Sequence, residues 1–153
     1  MTDIEQSIRT LIAGLSAEAM QRAMPDIAEV IMTSIADRFD EQSAGTPVYP
    51  TGTQAGAWAP LAASTLKRKK GGKILMGGQN AELRKQFSYR IQGDTLFLTN
   101  NRTVGEHNLF EIHQYGAKAG RDGKSVIPAR PMLALQREDV VEIADIIARS
   151  MGR

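Results

Sequence analysis

Two histidines are the first candidates for chemistry, because the chain has no further imidazole and no cysteine. His107 and His113 lie six residues apart, and Glu111 comes two residues before His113 in the stretch EIHQYG. A zinc site needs three or four ligands, and no HExxH or comparable spacing supplies the rest. On a helix, positions i and i+2 point to different faces, so Glu111 and His113 do not meet as an acid–base pair. The pattern therefore predicts no metal site. It predicts instead that His113 lies at the end of a short helix and hydrogen-bonds to a neighbouring loop.

Other catalytic signatures are also missing from the sequence. No serine lies in a GxSxG elbow. The stretch KKGGK lacks the spacing of a Walker-type phosphate loop, and no GxGxxG pattern occurs. The lack of cysteine excludes disulfides, thiolate metal sites and a cysteine nucleophile. We therefore predict that the protein is not an enzyme, has no catalytic residue and needs no cofactor.

A short basic run is the strongest candidate for contact with a polyanion. It consists of Lys67, Arg68, Lys69 and Lys70, with Lys73 close by. Clustered cations are sufficient for contacts with DNA phosphates. However, no base-stacking aromatics are interleaved with the run, and no recognition-helix pattern surrounds it. Two interpretations stay open: the run lies near genomic DNA without reading its sequence, or it pairs with an acidic surface of a second copy.

The net charge of +2 conceals a strong segregation of charge along the chain. Residues 1–66 hold 3 basic and 8 acidic residues, residues 67–130 hold 13 and 5, and residues 131–153 hold 3 and 4. Acidic ends around a basic middle favour head-to-tail contacts between copies, or a surface that faces polyanions. Solvated faces of opposite sign would give the same composition, so this alternative also stays open.

The general composition is that of a soluble globular protein, with 42% hydrophobic and 24% charged residues. The N-terminus has acidic residues before any basic one, and no segment approaches the roughly 20 apolar residues that cross a bilayer. We therefore expect neither a signal peptide nor a membrane span.

Helical periodicity is found at both ends of the chain. The helices that it predicts would position the candidate residues in the middle of the chain. A first helix is predicted near the N-terminus, and a second over residues 25–42 with Pro25 in its first turn. Alternatively, Pro25 kinks one longer helix that begins near Ser16. A last helix is predicted over residues 137–150, with two acidic residues in its first turn.

Shorter elements are predicted in the middle of the chain. Residues 43–60 are rich in Gly, Pro and Thr, and they form a loop or an extended arm that orders on contact. Residues 87–99 read as a β-hairpin that turns at 92–94. A short helix follows, with Asn108 as its cap and Gly116 as its stop. Residues 117–125 read as a polar loop.

Residues 127–133 are predicted to be extended, because a residue before proline avoids helical geometry. Arg130 lies between two prolines in this segment, so its guanidinium is presented from a stiff backbone. Such an arginine is useful at a subunit interface, and an edge strand leading into the last helix is an equally compatible interpretation.

Together these elements predict an α+β fold. N-terminal helices and a C-terminal helix pack on a small antiparallel β-sheet, with a long extended arm or loop. We expect a single domain over residues 1–153. It divides into a helical part (1–42), the arm or loop (43–60), a β-rich core with short helices (61–135) and the C-terminal helix (136–150).

The order of the motifs resembles the phage virion morphogenesis family, the tail-completion or head–tail joining proteins of Mu-like and related tailed phages. The matching pieces are the pair Arg38-Phe39, WAPL (58–61), TLKRKKGGKIL (65–75), the hairpin, IHQYG (112–116) and IPARPML (127–133). Together they span roughly residues 35–150. Two stretches depart from the family pattern: MGGQNAELRKQF is longer than the compact family segment, and LFEIH replaces the usual residues before the histidine. Both departures concern local loop structure.

The resemblance implies a structural virion protein that forms a ring at the head–tail junction, as a tail-completion, terminator or neck-connector protein. The implied partners are copies of the chain in a hexameric ring and the neighbouring neck and tail proteins, with genomic DNA nearby and no membrane. Assembly would take place in the cytoplasm of the host bacterium, and the final location would be the neck or tail of the virion. Two alternatives remain: a head-assembly factor absent from the mature virion, and a non-specific DNA-binding module that uses the basic run.

A specific hypothesis follows for the contact between copies. Residues 43–60 would reach an adjacent subunit and anchor there through Trp58 and Tyr49. The full set of residues expected at the subunit interface is Tyr49, Trp58, Pro60, Leu61, His113, Gln114 and Arg130.

Overall fold

A computed structural model describes residues 3–62, 73–76, 83–120 and 122–152. Within these residues the chain has the predicted α+β fold. Its α-helices are α1 (Asp3–Ala13), α2 (Ala17–Glu41), α3 (Leu109–Tyr115) and α4 (Arg137–Met151). Three antiparallel pairs of strands join β1 (Phe87–Gln92) to β2 (Thr95–Asn100), β3 (Thr103–Val104) to β4 (His107–Asn108), and β5 (Ala117–Ala119) to β6 (Ser125–Ile127). A 3-10 turn, Arg84–Gln86, precedes β1.

Helix α2 takes the longer of the two forms that the sequence left open. It begins after Ser16, whose hydroxyl oxygen accepts a hydrogen bond from the N–H of Ala19 at 3.1 Å. Pro25 lies inside the helix rather than in its first turn. The helix tolerates it because Pro25 is exposed, so water can reach the carbonyl that its missing N–H leaves unpaired. The helix ends at Gln42, which adopts the left-handed conformation with a φ of 56°.

Helices α2 and α4 pack against each other in antiparallel directions. Near one end, a guanidinium nitrogen of Arg22 donates to the carbonyl oxygen of Ser150 at 3.2 Å. Near the other, the hydroxyl of Ser34 donates to a carboxylate oxygen of Asp139 at 2.6 Å. A hydrophobic cluster lies between these two contacts, with α1 covering part of it. Its buried members are Ala23, Met24, Ile27, Val30, Ile146 and Ile147.

A second hydrophobic cluster joins the end of α2 to the middle of the chain. Phe39 is fully buried, and its ring is perpendicular to that of Trp58, with 5.4 Å between the ring centroids. Phe87 of β1 packs against Phe39 on another side, at 6.3 Å between centroids. Leu109 from α3 and Met132 from the proline-rich segment complete the contact. This cluster therefore brings together segments that are far apart in sequence.

The predicted β1–β2 hairpin is confirmed, with Phe87 opposite Asn100 and Gln92 opposite Thr95. Helix α3 is also confirmed, since the side chain of Asn108 accepts from the N–H of Glu111 at 3.1 Å. The expectation of a polar loop after α3 is wrong in part. Ala117–Ala119 pairs with Ser125–Ile127 in the β5–β6 hairpin, so part of the expected loop is strand.

Residues 43–60 form a closed loop that lies on their own chain. The N–H of Ala44 donates to the carbonyl of Gly56 at 3.0 Å, and the N–H of Gly56 donates to the carbonyl of Gly45 at 2.8 Å. Further along, the N–H of Leu135 donates to the carbonyl of Tyr49 at 2.8 Å. These backbone hydrogen bonds keep residues 43–60 against the rest of their own chain. Of the two predicted forms, the structure therefore favours the loop over the extended arm.

Among the described residues, no helix combines the length and the apolar character that a membrane crossing requires. The expectation that residues 1–153 form a single domain with four parts stays a prediction.

Candidate functional site

Arg130 of the IPARPML segment contacts two other motifs of the sequence analysis, WAPL and IHQYG. Its guanidinium donates to the carbonyl oxygens of Ala59 and Pro60, at 2.8 and 3.0 Å. Its backbone N–H donates to the carbonyl oxygen of His113 at 2.6 Å. The residue is 7% exposed, and burial lowers the pKa of its guanidinium. Among the described residues no carboxylate forms an ion pair with Arg130. The charge is instead stabilised by the two carbonyl dipoles, which is the condition for keeping a buried cation.

Trp58 ties the WAPL segment to the same place. Its indole N–H donates to the carbonyl oxygen of Pro131 at 2.9 Å, and its backbone N–H donates to the carbonyl oxygen of Gln42 at 2.9 Å. The side chain is 4% exposed. Burial of a tryptophan requires a partner for its N–H, and the segment after Arg130 supplies it. The WAPL and IPARPML segments are therefore joined by hydrogen bonds from both sides.

Gln114 joins helix α3 to the same extended segment. Its amide oxygen accepts from the N–H groups of Met132 and Leu133, at 2.8 and 2.9 Å. Its amide nitrogen donates to the carbonyl oxygen of Leu133 at 2.8 Å. The side chain thereby replaces a neighbouring strand, since it satisfies the backbone groups that a sheet would pair. Gln114 is 5% exposed and Met132 is fully buried, so the hydrogen bond between them is made away from water.

His113 lies beside this network and is 8% exposed. Burial, with a smaller contribution from the nearby charge of Arg130, lowers the pKa of its imidazole from 6.5 to about 4. At neutral pH the ring is therefore uncharged. Glu111 is exposed while His113 is buried, which agrees with the prediction that they do not form an acid–base pair.

Two glutamines that the sequence analysis did not select have comparable roles. The side chain of Gln42 donates to the carbonyl of Ile74 and accepts from the N–H of the same residue. The side chain of Gln136 donates to the carbonyl of Ala44 at 2.8 Å and accepts from the N–H of Thr46 at 2.8 Å. Both lie at helix ends, Gln42 after α2 and Gln136 before α4. The sequence signal that could have identified Gln42 and Gln136 is their position at the boundaries of predicted helices, where a side-chain amide can bond to unpaired backbone groups.

The residues predicted for a subunit interface divide into two groups in the structure. Trp58, His113, Gln114 and Arg130 are buried within their own chain. The anchoring of Trp58 in an adjacent subunit is therefore replaced by an internal role, because its ring fills the core and its N–H is already bonded. The exposed group comprises Tyr49, which is 52% exposed, and Pro60, with Leu61 half-buried beside it. Their place at an interface stays a prediction.

The basic run can be located only in part. Lys67, Arg68, Lys69 and Lys70 lie outside the described residues, and Lys73 is exposed. The run's contact with DNA or with an acidic partner stays a prediction. In the part of the chain that the structure describes, no three His, Asp or Glu side chains converge closely enough to hold a metal ion.

Comparisons with known proteins give one match over the full chain and one local match. The model of the phage virion morphogenesis family matches residues 1–152. The Mu-like prophage FluMu G protein 2 of Haemophilus influenzae is 45% identical over 49 residues, which are 31% of this chain and 36% of that protein. The matched segment thus spans about a third of the curated relative. No solved structure matches the chain.

Proposed function

Because the chain belongs to the phage virion morphogenesis family, we propose that it is a structural protein of a tailed phage and forms a ring at the head–tail junction. The observation that carries the proposal is the family match over residues 1–152, which includes every motif of the internal network. In this role the protein completes the tail or connects it to the head. It works by binding other virion proteins rather than by catalysis.

The internal network supports a role in assembly. The side chains of Arg130, Trp58 and Gln114 form hydrogen bonds with backbone groups of the same chain. Side chains that fix the backbone in this way produce a rigid subunit, and rigidity lowers the entropic cost of forming many identical contacts. The motifs of this chain thus define a scaffold, and the contacts between copies are made by the surfaces that this scaffold presents.

A phage with an interrupted copy of this gene tests the proposed function. We expect filled heads and separate tails to accumulate in electron micrographs of the lysate, and a plasmid copy to restore joined particles. Tails of irregular length would identify a tail terminator, and tails of normal length would identify a connector. Mass spectrometry of purified virions should find the protein in several copies per particle. Its absence from virions, together with defective heads, would instead indicate a head-assembly factor.

The exposed part of the predicted interface can be tested in the same complementation assay. Tyr49→Ala removes an aromatic side chain that is 52% exposed. Ile12→Ala is the matched control, because Ile12 is 42% exposed on a different element, α1. We expect Tyr49→Ala to lower the yield of joined particles while Ile12→Ala does not. Equal yields for both variants would remove Tyr49 from the interface and leave the proposed function standing.

A further inference from the structure

An acidic groove runs between helices α2 and α4. Its cavity volume is about 390 Å³, and the side chains of Val30 and Ile146, which are 8% and 5% exposed, form its apolar floor. Thr33 and Arg149 also line it. The remaining lining residues all carry a carboxylate: Asp26, Glu29, Asp37, Asp139 and Glu142. Five negative charges therefore face a single positive one around an apolar floor.

None of these five carboxylates forms an ion pair within the described residues. Asp139 accepts from Ser34 and caps helix α4, and Glu29 accepts from the hydroxyl of Tyr89 at 3.1 Å. By contrast, the ion pairs among the described residues are Arg38–Glu41 and Arg84–Asp40, and both lie outside the groove. The remaining carboxylates, Asp26, Asp37 and Glu142, are exposed and so available to a cationic partner.

The β5–β6 hairpin has the complementary surface. Val126 is 71% exposed, although a β-branched apolar residue is usually buried in a strand. Lys118 lies directly opposite Val126 in the register of the two strands, so both side chains are on the same face. Lys124 is exposed next to the tip, and Tyr115, just before the hairpin, is 75% exposed. The hairpin thus presents apolar side chains flanked by two lysines.

We infer that the β5–β6 hairpin of one copy docks into the α2–α4 groove of a second copy. Val126 contacts the floor formed by Val30 and Ile146, and the lysines of the hairpin pair with the free carboxylates. The inference rests on the proposed function, since it names the contact that builds the ring.

The arrangement of the two surfaces favours a second copy as the occupant. The hairpin and the groove belong to different elements of the same chain, so each copy offers both halves of the contact. Contacts of this kind are heterologous, and they close into a ring when the rotation between copies is suitable. The apolar centre with charged edges is also the usual arrangement of an interface, in which complementary charges set the register and the partner.

Charge reversal on each side provides the main test. Lys118→Glu with Lys124→Glu reverses the hairpin, and Asp37→Lys with Glu142→Lys reverses the groove. All four residues are exposed, so the fold should tolerate the changes, which circular dichroism checks. Sedimentation velocity on the full chain should show at least about a tenfold loss of self-association for either variant, because like charges then face each other. A chain that has both reversals should recover the wild-type association.

The matched control reverses charges outside the proposed contact. Lys85→Glu with Arg9→Glu changes the net charge as the hairpin reversal does, and Glu106→Lys with Asp94→Lys changes it as the groove reversal does. All four of these residues are exposed. We expect the control to associate like the wild type. Equal behaviour of the control and the single-surface variants would overturn the inference, as would a combined chain that associates no better than either reversal alone.

Chemical cross-linking locates the contact independently of any substitution. A carbodiimide joins lysines to carboxylates, and an equal mixture of ordinary and 15N-labelled copies distinguishes links between chains from links within one. We expect links between chains from Lys118 or Lys124 to Asp26, Asp37 or Glu142. Links between chains at other positions would leave the ring in place but overturn this contact. A wild-type chain that stays monomeric and gives no link between chains would also overturn it, whereas the proposed function is judged separately by the composition of the virion.

Discussion

Acidification is expected to destabilise this protein through His113. The unfolded imidazole has a pKa near 6.5, whereas burial and the charge of Arg130 lower the pKa in the folded chain to about 4. Between these values the unfolded chain binds the extra proton, so the free energy of unfolding rises with pH. The contribution is fully present above about pH 6.5 and is lost as the pH falls towards 4.

The magnitude follows from the two pKa values. Protonation of the unfolded chain lowers the free energy of unfolding by about 1.4 kcal/mol at pH 5.5 and by about 2.5 kcal/mol at pH 4.5. Solvent screening at the ring reduces these limits, so we expect a loss of about 2 kcal/mol between neutral pH and pH 4.5. Carboxylates also titrate in this range, and the effect must therefore be measured as a difference between two variants.

The assay is urea unfolding from about pH 7.5 to pH 4.5, followed by the fluorescence of Trp58, the single tryptophan. His113→Gln removes the titrating ring, so its stability should fall less steeply with acid than that of the wild type, by about 2 kcal/mol over the range. His107→Gln is the matched control, because His107 is exposed. We expect it to follow the wild-type profile. Parallel profiles for the wild type and His113→Gln would show that His113 does not cause the loss of stability in acid.

Three substitutions test the internal network by urea unfolding. Trp58→Phe keeps an aromatic ring but leaves the carbonyl of Pro131 without its donor, and we expect a loss of about 2 kcal/mol; an unchanged midpoint would show that the hydrogen bond is dispensable. Gln114→Leu leaves three backbone groups of Met132 and Leu133 unpaired, of which the N–H of Met132 is buried, so we expect a loss of about 3 kcal/mol, and a loss below about 1 kcal/mol would contradict the strand-like role. Gly116→Ala places a methyl group 2.8 Å from a backbone oxygen, whereas Gly123→Ala meets nothing within 4 Å at a similar positive φ. We therefore expect Gly116→Ala to be the more destabilising of the two by at least about 1 kcal/mol, and equal losses would mean that the close contact relaxes.

Local sequence signals predicted most of the elements correctly. The cap at Asn108 and the stop at Gly116 defined helix α3, because capping depends on residues within one turn. The turn after β1 was equally readable, since Gly93 adopts a positive φ of 62° that favours glycine. The choice between two helix starts near Ser16 and Pro25 was left open, because the sequence does not show whether a proline will lie on the exposed side of a longer helix.

The role of the motif residues was less accessible from the sequence. We predicted Trp58 and Arg130 to lie at a subunit interface. The reason was that an isolated tryptophan and an arginine between prolines have no partner nearby in the sequence. In the structure their partners lie 73 and 71 residues away along the chain. Periodicity and spacing report on neighbours within a few residues, so they could not show that these side chains point inward.

Local patterns in the sequence were sufficient to predict the fold class, the short helix around His113 and the different faces of Glu111 and His113, because these depend on local geometry. The order of its motifs also indicated the family. The packing of distant segments, by contrast, shows that Trp58, Gln114 and Arg130 are buried in the core and that Val126 of the β5–β6 hairpin is exposed. The physical reason is that buried hydrogen bonds between distant segments depend on how the helices and strands pack, and packing is not encoded at any single position.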